Sequence, residues 1–296
     1  MSETTSPSTV QAESTTPPKK RMPARTRLIV FIVAWAILSL PYFFWRSSWF
    51  GRPLSDSEIN EYLHDDAHPR HIQHALVQIG ERMSHARAHG QTSASAAQQW
   101  YPDMVRLANY KVEEVRTTDA WLMGQDPSQA EFHRALLTML NDPSITVRGN
   151  AALSLVTFGD NAGHDQIVAM LKPVTVTAPM TGFITAIAKS GDPIHSGTVV
   201  VQMEEDSGVS EVRSPISGKI ASVAVKQGDH VQKDAPVAVI SPGSDQAWEA
   251  LRALYLVGTK DDLALVRDYE KKGDELGDRI RQQAIETEKA ILKRAG

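Results

Sequence analysis

Apolar positions along the chain follow three rhythms. Leu28 to Trp45 (LIVFIVAWAILSLPYFFW) is an uncharged run with no polar face. From Ser55 to Lys172 the apolar residues recur at i, i+3 and i+4. From Pro173 to Pro242 Val, Thr and Ile alternate with polar residues at period two, and helical spacing then returns. These patterns predict, in order, an apolar helix, a set of amphipathic helices, a module of short strands and a closing helical segment. The expected fold class is multidomain α and β. It comprises a single transmembrane helix at 28–50, helical repeats over 55–172, an inserted all-β module over 173–242 and C-terminal helices over 245–296.

Charge decides how the first segment is read. Residues 1–27 are rich in Ser, Thr and Pro and carry Lys19, Lys20, Arg21, Arg25 and Arg27 against two acidic residues, a net of +3. The whole chain carries −4, so the remainder carries −7. Low hydrophobicity predicts a disordered tail over 1–27. An apolar run of about 18 residues is near the lower limit for spanning a bilayer. Because Lys and Arg stay cytoplasmic, the expectation is a single-pass protein of a bacterial inner membrane, N-terminus in the cytoplasm and later domains periplasmic. The basic cluster would meet anionic lipid.

The helical region contains ordered repetition. KVEEVRTTDAWLMG, from Lys111 to Gly124, recurs in DPSITVRGNAALSLVTFG, placing Val115-Arg116 over Val147-Arg148 and Ala120-Trp121 over Ala152-Leu153. Weaker copies are HPRHIQHALVQIG and, far downstream, EALRALYLVGTKDDLALV. Each is a pair-of-helices unit that hides its apolar face only by stacking on a neighbour. With Asp142, Pro143, Val147, Arg148, Ala151 and Ala152 in place, the unit resembles the HEAT repeat family. That resemblance implies a binding scaffold in which Arg116 and Arg148 are structural. The last segment, starting at Gly273-Asp274, places Leu276, Ile280, Ala284 and Ile291 on one stripe, fit to cap such an array.

The β segment is itself duplicated. Pro179, Gly182, Ile184, Gly191-Asp192 and Ile194 repeat as Pro215, Gly218, Ile220, Gly228-Asp229 and Val231. In each half a proline ends a strand and a glycine (Gly182 or Gly218) is expected to supply a positive φ. The Gly-Asp pair (Gly191 or Gly228) then turns the chain again. This pair of half-motifs resembles the biotinyl/lipoyl-like, or barrel-sandwich hybrid, family, which includes biotin and lipoyl carriers and the periplasmic adaptors (membrane fusion proteins) of export systems. In the carriers a lysine on the hairpin between the halves is acylated. The equivalent position here is Ser207, and no lysine occurs between Lys189 and Lys219. The resemblance therefore implies a carrier fold without the carrier amide, and no cofactor is expected.

Candidate chemistry is sparse. With no cysteine in the chain, thiolate metal sites, iron–sulfur clusters, disulfides and cysteine nucleophiles are excluded. Histidines concentrate at His64, His68, His71 and His74. They are expected to be solvated residues of a turn and a helix start, and no metal is expected; His71 and His74, one helical turn apart, are the weak candidates for ligands, with Asp65 or Asp66 nearby. No nucleophile elbow and no phosphate-binding glycine loop occurs. Acidic neighbours such as Glu204, Glu205 and Asp206 are expected to face water, and the −7 portion argues against nucleic acid.

The leading expectation is a non-enzymatic, membrane-anchored periplasmic scaffold that binds other membrane or periplasmic proteins. Trp100, Tyr101 and Trp121 of the array and the hairpin from Glu204 to Val209 are its candidate interaction surfaces. Two alternatives stand beside it. One is an adaptor-like subunit of an export or efflux system, partnered by a transporter and assembled as a homo-oligomeric ring. The other is an atypical biotin or lipoyl carrier.

Overall fold

The computed structural model describes residues 28, 30–35, 37, 39 and 52–296 except 206 and 207. The chain divides into two units, Met1–Pro53 and Leu54–Gly296. In the first, the described residues between 28 and 39 are helical. Among the described residues no helix is long and apolar enough to cross a membrane. Much of the span expected at 28–50, and all of the expected tail at 1–27, lies outside them.

The second unit is α plus β. Its helical part opens with α1 (Asp56–Leu63), α2 (Pro69–Ala88) and α3 (Ser93–Ala97), a short 3-10 turn (Gln98–Trp100), and α4 (Tyr101–Leu107). Then come α5 (Glu113–Met123), α6 (Ala130–Met139), α7 (Ile145–Thr157) and α8 (His164–Met170). After the strands follow α9 (Ser244–Val257), α10 (Leu263–Lys271), α11 (Gly273–Leu276) and α12 (Asp278–Ala295). Local chemistry starts these helices. Ser55 and Glu58 form a reciprocal capping box at α1, Pro69 occupies the first turn of α2, and the Ser144 hydroxyl accepts from the Thr146 and Val147 amides at α7.

Helices α2, α5, α7, α9 and α12 touch in series, and α4, α6, α8 and α10 pack against that row. Close approaches need small residues. A Cβ on Gly80 of α2 would lie 2.6 Å from the Trp121 ring of α5, and one on Gly124 would lie 2.4 Å from the Ser154 hydroxyl of α7. One continuous apolar core runs from Leu54 to Leu171 and resumes with Ala247, Leu251, Leu254, Val266, Tyr269 and Ile291. The helices on either side of the β module therefore form a single body. The last helix starts later than the sequence suggests: Gly277, at φ +95°, breaks the chain after α11, and α12 then buries Ile280, Ala284, Thr287 and Ile291.

The β module has its own core around Ile184, Ile194, Val201, Met203, Ile220, Val237 and Ile240. Its strands are β1 (Val174–Thr177), β2 (Gly182–Ile187), β3 (Pro193–Ile194), β4 (Val199–Glu205), β5 (Gly208–Arg213), β6 (Gly218–Val223), β7 (His230–Val231) and β8 (Pro236–Pro242). Two four-stranded antiparallel sheets result, ordered β1-β8-β6-β3 and β5-β4-β2-β7.

The two halves are interlocked, because β2 pairs with β7 of the second half and β6 with β3 of the first. Their turns exchange equivalent bonds. The Gly191 amide donates to the Ile220 carbonyl and the Gly228 amide to the Ile184 carbonyl, both at 2.8 Å.

The duplicated glycines divide their work differently from the sequence expectation. Positive φ falls on Gly191 (+93°) and Gly228 (+90°), whereas neither Gly182 nor Gly218 has it. Gly218 serves close approach instead: a Cβ there would sit 1.9 Å from the Ser241 carbonyl oxygen.

Candidate functional site

The hairpin β4–β5 joins the two halves and carries the position where a carrier lysine would stand. Pairing continues to its last described rung, Glu205 opposite Gly208. Ser207 and Asp206 lie outside the described residues. Direct pairings set Val209 opposite Glu204, Glu204 opposite Phe183, and Phe183 opposite His230. Residues directly opposite share a face of the sheet, so these four form one row across β5, β4, β2 and β7. The row is exposed, with Phe183 at 55% and Val209 at 67% accessibility, and the Phe183 and His230 rings meet edge to face at 4.8 Å. One rung inward, Ile184 and Met203 face the core.

The hairpin is acidic near its end and cationic at its root. Arg213 pairs with Glu211 and donates to the Gly197 carbonyl at 2.6 Å. The lysines of the module, Lys189, Lys219, Lys226 and Lys233, are all exposed and all lie outside β4 and β5.

In the helical body the proposed interface aromatics separate. Trp100 is completely buried and donates its indole N–H to Asn60 Oδ1 at 2.7 Å. Tyr101 is buried too, its hydroxyl donating to Asp126 at 2.5 Å. Both are core residues rather than contact residues. Their local sequence, QQWYP, carries no periodicity that reveals partners so distant in the chain. Trp121 remains 40% exposed and lines an open groove with Leu153, Tyr255 and Leu256.

Four turns between helices share one device. The aspartate in each, Asp126, Asp142, Asp160 or Asp262, accepts bonds from its own turn and from a side chain of a preceding helix. Asp142 takes Arg116 through two bonds, at 2.6 and 2.9 Å, and the Ser144 amide at 2.8 Å. Asp160 takes His133 at 2.7 Å, and Asp262 takes His164 at 2.8 Å. Burial would raise the Asp142 pKa, but the bonds from Arg116 and the Ser144 amide hold it below the usual carboxylate value. Asp126 is held down in the same way, burial being outweighed by Ser128 and Tyr101. Arg148 acts differently, donating to the carbonyls of Asp142 and Pro143 at 2.6 and 3.0 Å. His133 and His164 were not singled out from sequence, because the repeated Val-Arg pair draws attention to arginine alone.

The histidine cluster is also rearranged. His71 is directed to Asp65, as is His68, whereas the His74 ring lies by Tyr62 at a centroid distance of 6.3 Å. Burial lowers the His74 pKa, with Glu81 acting in the opposite sense.

Comparison with known proteins bears on the β module. A biotin/lipoyl family model described as "Biotin-requiring enzyme" matches residues 174–240. No curated protein matches the chain. Solved structures that match include the urea carboxylase of Kluyveromyces lactis, 28% identical with a TM-score of 0.23, over 23% of this chain and 6% of that one. Another is a single-chain, multi-domain long-chain acyl-CoA carboxylase, 18% identical with a TM-score of 0.24, over 48% of this chain and 16% of that one. The chain thus spans a small part of either enzyme's length. It contains a biotin/lipoyl-like domain within a mostly helical protein.

Proposed function

We propose that the chain is a helical scaffold presenting a biotin/lipoyl-type module to a protein partner by non-covalent contact, without an acylated lysine. One observation carries this reading. The stretch between Lys189 and Lys219, which includes the whole hairpin, offers no side-chain amine for acylation, while the adjoining row of Val209, Glu204, Phe183 and His230 is exposed. Aromatic and aliphatic side chains grouped around a few polar ones are the usual make-up of a contact patch. The stacked helix pairs and the aspartates of four of their turns support a HEAT-like scaffold beneath it. A photo-crosslinker at Phe183 in the full chain is expected to capture a discrete partner in native membranes. No adduct at Phe183, Glu204 or Val209 would refute the reading.

A second reading is a carrier modified at an unusual residue. The family match, by its description, supports this alternative more than it supports a membrane scaffold or an export adaptor. The four exposed lysines of the module are its available acceptors. Intact-mass measurement and peptide mapping of natively produced protein separate the two readings. An unmodified mass is expected, and a biotin or lipoyl increment on Lys189, Lys219, Lys226 or Lys233 would establish the carrier.

The basic tail and apolar run support tethering to a bacterial inner membrane with the helical body outside the cytoplasm. Alkaline extraction and protease accessibility test this, and full release by carbonate would discard the anchor.

A further inference from the structure

Away from the β module, the turn between α1 and α2 gathers three donor groups. Asp65 lies in that turn, His68 is the N-cap of α2, and His71 sits in its first turn. The Nδ1 atoms of His68 and His71 lie 3.0 and 2.6 Å from one and the same oxygen, Asp65 Oδ2. The two imidazoles stack at 4.9 Å, and Tyr62 stacks on His71 at 4.6 Å. One donor atom from each of the three residues lies within 4.8 Å of the other two.

The backbone holds this arrangement in place. The His68 amide donates to the Asp65 carbonyl at 3.0 Å and the His71 amide to the His68 carbonyl at 2.8 Å. Pro69 restricts the chain between the two histidines. The donors therefore come from one tight turn, with no long loop to be ordered when a ligand arrives.

Two imidazoles and a carboxylate suit zinc and its first-row neighbours, whereas calcium and magnesium prefer all-oxygen shells. A tetrahedral ion with bonds of about 2.0–2.1 Å keeps its ligand atoms on the order of 3.4 Å apart. The two nitrogens already lie 3.0 and 2.6 Å from the carboxylate oxygen. An outward shift of under about 1 Å would admit the ion. The ion would replace the Nδ1 protons directed at Asp65. Each ring would then hold its proton on Nε2, and no net proton need be released. Side-chain accessibilities of 65% for His68, 25% for Asp65 and 20% for His71 leave one side of the cluster open to a water or an outside ligand.

We propose that Asp65, His68 and His71 form a three-ligand site for a zinc-class divalent cation that fastens the turn between α1 and α2. A second histidine pair provides the control. His85 and His89 stack at 4.1 Å at the far end of α2 but, among the described residues, bring no carboxylate into a three-donor group.

The test uses the full chain with the metal alone: Zn²⁺ by titration calorimetry and Co²⁺ by visible absorption, on the wild type, His68→Ala, His71→Gln and the double variant His85→Ala/His89→Ala. One ion per chain is expected, with affinity reduced at least ~10-fold in His68→Ala and in His71→Gln. The intense absorption of low-coordinate Co²⁺ is expected to be lost in both and kept in the double variant. His68 is mostly exposed and makes no side-chain cap, so its alanine variant is expected to keep the wild-type helical signal and melting temperature without metal. No binding by the wild type, unchanged binding in His68→Ala and His71→Gln, or loss only in the His85/His89 variant would each overturn the proposal.

Discussion

His164 and Asp262 are bonded at 2.8 Å, Nε2 to Oδ2, although 98 positions separate them. The earlier aspartates of the same kind take their donors from 25, 26 and 27 residues back, at Tyr101–Asp126, Arg116–Asp142 and His133–Asp160. Removing the 70 residues of 173–242 from the 98 leaves 28, so the helical spacing resumes across the β module as if it were absent. Asp262 is 5% exposed and also accepts from the Thr259 amide at 2.7 Å. Asp262→Ala is expected to cost about 1–3 kcal/mol through its unpaired partners. A double-mutant cycle with His164→Ala, read by urea denaturation, should show coupling of at least ~0.5 kcal/mol. Strict additivity would remove this bond as a fastening between the two helical segments.

Among the described residues Arg116 and Asp142 form the best-enclosed arginine–carboxylate pair, their side chains 12% and 8% exposed, and Arg116 also donates to the Tyr110 carbonyl at 2.7 Å. Arg116→Ala leaves a buried carboxylate unpaired and is expected to cost about 3–5 kcal/mol. Arg116→Lys keeps the charge but loses the planar two-pronged contact, so it should recover only part of that loss. Equal urea midpoints for the lysine variant and the wild type would show that the fork geometry contributes nothing.

Asp119 presents the opposite case. It is fully buried in α5, and neither carboxylate oxygen has a hydrogen-bond partner. Burial raises its pKa well above the ordinary carboxylate value, with the charge of Arg106 acting in the opposite sense. A carboxyl with a raised folded value binds its proton more tightly in the folded state. Its contribution is therefore favourable at low pH and is lost as pH rises from the ordinary value through the raised one. Asp119→Asn cannot ionise, so it should flatten this part of the stability–pH curve and leave the variant more stable than the wild type at pH 7. Parallel curves for the two proteins between pH 4 and 7 would contradict this.

Gly218→Ala tests the seam where β6, β8 and α9 converge. The new methyl would meet the Ser241 carbonyl oxygen at 1.9 Å and the Gly243 nitrogen at 2.9 Å, both backbone atoms that cannot rotate away. A loss of about 1–3 kcal/mol is expected, with faster amide exchange in β6 and β8. Unchanged exchange there would mean that the backbone absorbs the methyl without cost.

Much of this architecture was legible because it repeats. The offset between Pro179–Ile194 and Pro215–Val231 marked two interlocked halves, and the period-two pattern placed their strands. Long-range pairing was not legible. Trp100 is held by Asn60, 40 positions away, which no local pattern encodes. The donors His133 and His164 lie outside the repeated Val-Arg pairs, and since any hydrogen-bond donor of suitable reach serves an aspartate, no residue type marks the position. Helical spacing brought His71 and His74 together as no more than weak ligand candidates, with Asp65 or Asp66 nearby. The chain instead folds a turn back upon itself, bringing Asp65 to His71 from the N-terminal side, and such reversals leave no periodic signature.

Only Leu171, Lys172 and Pro173 lie between α8 and β1, and only Gly243 between β8 and α9. The Thr146 hydroxyl also reaches across to the Pro215 carbonyl at 3.1 Å. A domain clamped at entrance and exit has no slack with which to travel. The β module and its hairpin therefore move with the helical body, and both readings of its function start from a hairpin held close to the helices.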